Sequence, residues 1–338
     1  MQKKIYALVG IVILSFFLCF SFLLEVTSSV SAEVTSFSPA SGTYFPGDAV
    51  ISSLNFKNTG TENWTFWVGY SVQDSAGKWY DVPSHSVTLA PGDVSDAQSK
   101  TWYVSSDPLL TTGNYKIVMA IWKTKPEGST AIKLANVEKE DAFQAFNFVD
   151  NFSSFDTNRW LKSSYSLERS YLDPANVDIS NGNLRIKIPV NTLNGGEIES
   201  KNFYKYGTYR SRMKLPNAPS SITGLFLYMG PDYYNEIDIE IYNEPNGNIM
   251  FTTYADGKKQ HIVTKELGFD PTADFHEYRF DFYPGNLSFY VDGKLMQTWT
   301  DGMTTNEMKF MVNTWYPQWL QGTKQTSDKY TLIDWIQH

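Results

Sequence analysis

The sequence predicts an all-β chain built as two sandwich units in series. Short runs rich in Val, Ile, Tyr, Phe and Trp recur between clusters of Gly, Pro, Asn and Asp along most of its length. No stretch beyond the first thirty or so residues holds a helical period. One stretch, Asn235-Glu236-Ile237-Asp238-Ile239-Glu240-Ile241, alternates acid and isoleucine with the period of a half-buried strand.

Of 338 residues, 42% are hydrophobic and 16% aromatic, enough for about two cores. A net charge of −8 argues against nucleic acid or an anionic membrane surface as partner. The sole cysteine, Cys19, lies in the apolar N-terminal run, so thiolate metal sites and cysteine nucleophiles are excluded from the rest. The histidines His85, His261, His276 and His338 show no ligand spacing, and there is no phosphate loop.

Residues 1–32 read as a secretory signal. Lys3 and Lys4 precede an apolar run from Ile5 to Leu24, and Val30-Ser31-Ala32 offers a cleavage site before Glu33. The expected location is therefore secreted or cell-surface. The run is also long enough for a retained membrane anchor.

Residues 33–145 are expected to form a small β-sandwich. Ala49–Phe56, Thr65–Gln73, Ser86–Leu89, Ser99–Val104 and Tyr115–Trp122 read as strands between turn clusters such as Ala90-Pro-Gly-Asp93. The pattern resembles Ig-like accessory modules. Trp64, Trp67, Trp79, Trp102 and Trp122 read either as packing or as a sugar-binding platform. The charged stretch Lys123–Asp141 reads as loop and linker.

Residues 146–338 read as a second all-β unit with two packed sheets. Asn181-Gly182 and Asp292-Gly293 are hairpin turns between alternating runs. Tyr206–Lys214, Leu225–Tyr228, Glu277–Tyr283, Leu287–Val291 and Ile333–Ile336 read as strands. Asn63, Asn151 and Asn286 begin glycosylation acceptor patterns.

The acidic strand carries the chemistry. As a strand it places Glu236, Asp238 and Glu240 on one face and the isoleucines on the other. Aligned like charges weaken a sheet, and ordinary solvent-facing strands mix signs. A retaining glycosidase, by contrast, needs a carboxylate nucleophile and a carboxyl acid/base about 5–5.5 Å apart. Residues i and i+4 on a strand have Cα atoms about 13 Å apart, a gap that side chains leaning together across a concave sheet close in large part.

Glu-Ile-Asp-Ile-Glu resembles the catalytic signature of glycoside hydrolase family 16, the β-jelly-roll endoglucanases and transglycosylases. The resemblance extends from Asp150-Asn151-Phe152 and Asp156–Trp160 to the closing strand, and is to the lichenase-like branch without an extra residue before the last Glu. It implies a concanavalin-like β-jelly-roll sandwich with Glu236 as nucleophile, Glu240 as acid/base and Asp238 assisting. It implies substrate contacts from Glu197, Tyr228, Tyr234, Tyr254, Asn313, Trp315 and Trp319. It also implies a structural calcium held by Gly182 and Asp334, with no cofactor required for catalysis.

This chain departs from the lichenase-like pattern in Tyr234 where Trp stands, Glu199 where Arg stands, Thr252 where Asn stands, and in lacking the disulfide. The expected activity is double-displacement hydrolysis within a β-linked glucan, mixed-linkage 1,3-1,4 or a related exopolysaccharide, by a monomer without stable membrane association after signal cleavage. A transglycosylase of the same fold and a non-catalytic carbohydrate-binding matrix protein are the alternatives.

Overall fold

The structure is a computed structural model and describes residues 28–338. Most of the expected signal segment lies outside the described residues. Within 28–32, the backbone oxygens of Ser29 and Ser31 accept from the amides of Thr61 and Thr59, and Ala32 opens the first strand.

The N-terminal part packs a three-stranded sheet against a five-stranded one. The first joins Ala32–Ser38, Ala49–Asn58 and Gln98–Tyr103. The second orders Thr43–Tyr44, Lys133–Ala145, Gly113–Trp122, Trp64–Asp74 and Trp79–Leu89. Alternation decides what is inside: Val50, Leu54 and Phe56 of one sheet meet Phe66, Val68, Tyr70 and Ile117 of the other.

The Lys123–Asp141 stretch is not all loop and linker, because its second half begins the strand Lys133–Ala145. Leu134 and Val137 pack on the core, while Glu138 and Glu140 face out to Lys116 at 3.0 and 2.6 Å. The charges are the solvent face of a strand rather than a loop.

The C-terminal part is a second, larger sandwich with almost no helix. A seven-stranded antiparallel sheet orders Trp160–Lys162, Gly196–Tyr204, Met308–Trp315, Ile222–Met229, Asn235–Tyr242, Asn248–Ala255 and Lys258–Glu266. An eight-stranded sheet backs it, with Lys329–Gln337, Gly207–Lys214 and His276–Tyr283 at its centre. Ile237, Ile239 and Ile241 are fully buried between the sheets, and Phe251 stacks on Phe289 with centroids 4.6 Å apart. Burying each isoleucine stabilises by about 1.5–3 kcal/mol, which offsets the repulsion among the acids behind them. The hairpins at Asn181-Gly182 and Asp292-Gly293 form with both residues left-handed, the geometry of a two-residue type I′ turn.

The two parts touch through a polar joint. Thr208 N donates to Thr112 Oγ1 at 3.0 Å, and Tyr283 OH donates to the Thr112 carbonyl at 3.0 Å. The linker then enters the second sandwich at Asp150, whose buried carboxylate accepts from Trp160 Nε1 at 2.8 Å and Arg159 Nη1 at 3.2 Å.

Candidate active site

The outward residues of the seven-stranded sheet lie in rows fixed by strand register. One row runs Glu197, Asn313, Gly224, Glu240, Met250. The next runs Met311, Phe226, Asp238, Thr252, and the third Lys309, Tyr228, Glu236, Tyr254, Lys259. A cleft of about 720 Å³ crosses these rows, with all three acids of the strand Asn235–Tyr242 in its floor. Gly224 makes room beside Glu240: a Cβ there would lie 2.7 Å from Asn313 Oδ1.

Burial dominates the electrostatics of the floor. It pushes the Glu236 carboxyl up to about 7, and Asp232 and Glu197 add to the rise while a hydrogen bond with Asp238 opposes it. Glu240 is pushed up to about 8 by burial first, then by Glu236 and Glu168, against the pull of Lys259. Asp238 lies between two acids and is held protonated well above the usual carboxylate range, by burial above all. As a neutral acid it donates to Glu236, which favours the ionised form of that neighbour.

Glu197 is completely buried and accepts from Tyr165 OH at 3.1 Å and Asn313 Nδ2 at 3.0 Å. Burial raises it to about 7 against those hydrogen bonds. The buried Asn313 Oδ1 and Thr252 Oγ1 face the cleft without a partner among the described residues, and an unpaired buried polar atom is costly until a ligand satisfies it.

Of the residues implied as substrate contacts, Glu197, Tyr228, Tyr254, Asn313, Trp315 and Trp319 all line the cleft. Tyr234 does not, and its neighbour Tyr233 takes the place. Tyr233 sits left-handed at φ 65° with its ring tilted against Tyr254, centroids 5.3 Å apart. The Tyr234 ring instead lies over the turn at Gly257. The turn before the strand turns the two tyrosines apart, and strand parity cannot be extended through it.

Tyr165, Glu168, Asp232 and Lys259 also line the cleft and were not singled out from sequence. Asp232 accepts from Tyr228 OH at 2.6 Å, and Glu168 Oε2 accepts from the Gln318 amide at 2.5 Å. Adjacency to the acidic strand was an available signal for Asp232. Tyr165 and Glu168 lie on a short hairpin far away in sequence and carried none.

At the calcium position that the resemblance assigns to Gly182 and Asp334, the one carboxylate is engaged in an ion pair. The Asp334 carboxylate is taken by Arg212 Nη1 at 2.5 Å, so a cation already neutralises it. Among the described residues no group of three His, Cys, Asp or Glu side chains is placed to hold a metal, so a calcium here would draw on backbone carbonyls and water for most of its oxygens.

A cleft across an antiparallel sheet, floored by acids and edged by tyrosine and tryptophan rings, defines a carbohydrate-cleaving enzyme of the β-sandwich class. The family description "Glycosyl hydrolases family 16" matches residues 168–337, and the chain belongs to that family. It is 31% identical to a β-glucanase of Paenibacillus polymyxa over 212 residues, 58% of this chain and 89% of that protein. It is 29% identical to a β-glucanase of Bacillus subtilis (strain 168) over 207 residues, 57% of this chain and 86% of that protein. Among solved structures it resembles the Bacillus licheniformis β-glucanase, with a TM-score of 0.52 and 28% identity over 56% of this chain and 96% of that one. A lichenase from a mouse hindgut metagenome aligns with a TM-score of 0.51 at 25% identity, covering 56% and 97%. The likeness covers the jelly-roll sandwich and its cleft.

Proposed function

We propose that this cleft hydrolyses internal bonds of a β-linked glucan with retention of configuration, mixed-linkage 1,3-1,4-glucan being the first polymer to test. The observation that carries the reading is the floor itself: Glu236 and Glu240 on one face of one strand in the cleft, both carboxyls raised by burial, with the buried Asp238 between them. β-Glucanase relatives point the same way.

In the first step Glu236 attacks the anomeric carbon while the protonated Glu240 gives its proton to the departing glycosidic oxygen. In the second, Glu240 removes a proton from water, which displaces Glu236 and releases the sugar. Asp238 keeps its proton throughout and spares the floor a third charge. Tyr254, Trp315 and Trp319 offer faces for sugar rings, and Asn313 Oδ1 an acceptor for a sugar hydroxyl. The basic start and apolar run of the sequence support secretion.

The test is release of reducing ends from barley mixed-linkage glucan, laminarin, xyloglucan and agarose, with Glu236→Gln alongside. Cleavage of mixed-linkage glucan that disappears in the variant supports the proposal. Undiminished cleavage by the variant refutes the assignment of Glu236.

A further inference from the structure

We propose that the outer face of the five-stranded sheet, around Trp67 and Trp122, is a second carbohydrate-binding surface that holds a neutral polysaccharide chain. The proposal names its ligand as the β-glucan of the cleft and rests on that reading for the identity of the polymer.

The structure separates the five N-terminal tryptophans: Trp79 is exposed and pairs with Gln73, at the other end of the strand from Trp67. Trp102 is in the core, its ring tilted against those of Tyr80, Tyr115 and Phe143. Trp64 ties its Nε1 to the Lys123 carbonyl at 2.9 Å. Trp67 and Trp122 differ. They are direct cross-strand partners on the face opposite Phe66 and Val68, which complete the core without them. Both are half-buried side by side on the outside of the sheet.

Gly69 gives the Trp122 indole its seat, because a Cβ at that position would come 3.1 Å from Nε1. Ala120, the next small residue, pairs with Gly69. A broad shallow surface with two neighbouring indoles, and small residues at Gly69 and Ala120 beside them on the same face, is a form that stacks on sugar rings.

Charge near the indoles is of mixed sign and largely tied up in ion pairs and hydrogen bonds, so the platform offers no free run of like charge to an ionic ligand. Lys116 is paired with Glu138 and Glu140, and Asp81 accepts from Ser71 Oγ at 2.6 Å. Lys125 lies over the Trp67 ring, 5.7 Å from its centroid, and bonds Glu127. Polar groups remain for hydroxyls.

Position favours the same polymer. The strand Gly113–Trp122 begins at the joint with the catalytic sandwich and ends at the platform. Nine residue steps at about 3.3 Å place the indoles about 30 Å from that joint, clear of the catalytic part. A chain held there raises the local concentration of substrate at the cleft without any new contact in it.

The test is depletion of the full chain, carrying Glu236→Gln, onto insoluble β-glucan. Trp67→Ala with Trp122→Ala should weaken retention about tenfold, from two lost stacking contacts. Gly69→Val, which keeps both rings but unseats Trp122, should weaken it in the same direction. Trp67→Phe with Trp122→Phe should retain most binding, which a purely structural loss would not show. Unchanged retention in both the alanine pair and Gly69→Val overturns the proposal. So does concentration-dependent dimerisation that the alanine pair abolishes, since it assigns the face to a second copy of the chain. Cleavage of a short soluble glucan oligosaccharide is scored separately with Glu236 intact. The alanine pair should leave it unchanged, whereas a wild-type chain that cleaves no glucan would refute the cleft reading instead.

Discussion

Glu197 should cost the protein stability whenever it is ionised, and replacing it with glutamine should return that stability only at higher pH. Its side chain is wholly buried, and burial raises its folded value from 4.5 to about 7. Between those values the folded state keeps a proton that the unfolded chain has lost. Unfolding free energy then falls as pH rises through that window and levels off above it. At about 1.4 kcal/mol per pH unit the fall is about 3 kcal/mol. Glutamine is close in shape to the protonated acid and does not ionise. Glu197→Gln should therefore match the wild type near pH 4 and exceed it by up to about 3 kcal/mol at pH 8. Urea unfolding followed by tryptophan fluorescence at both pH values is the assay. An equal difference at both, or a larger gain at pH 4, would refute the account of Glu197 as an acid held in a desolvated pocket.

Other outcomes follow from the same floor. The kcat/KM profile should be bell-shaped, rising through the lower and falling through the higher macroscopic value of the coupled acids, near 7 and 8. Lys259→Met should move the descending limb to higher pH, because Lys259 lowers Glu240; a shift to lower pH would contradict that role. Gly224→Val should cut kcat/KM by about a hundredfold by displacing Asn313 and crowding the acid/base, with little change in thermal midpoint tolerated as the control. Calcium addition and chelation should leave the thermal midpoint unchanged, since Arg212 already neutralises Asp334; a rise with calcium would show that the ion pair opens to admit it.

Much of this was legible in the sequence because period and turn chemistry are local. The alternation of acids and isoleucines fixed which face of the strand carries Glu236, Asp238 and Glu240, and both Asx-Gly pairs became the hairpins their chemistry dictates. The rest depended on register or on turns. Glu197, Asn313 and Glu240 share a row only because three other strands pair in a particular order. Tyr233 replaces Tyr234 because the left-handed residue breaks the parity that the strand would have extended backwards. Lys133–Ala145 reads as loop and linker because the charged run Glu138–Asp141 interrupts its apolar residues. Asp334 has a calcium role by resemblance alone, and its pairing with Arg212, distant in sequence, left no local signal.

The most direct test of Glu236 and Glu240 as a double-displacement pair is the anomeric configuration of the first-formed product. Proton NMR during cleavage of barley mixed-linkage glucan reads it before mutarotation. A β reducing end appearing first is the expected result, with α growing later by mutarotation alone. An α product appearing first would mean single displacement by water, and would contradict the assignment of Glu236 as nucleophile.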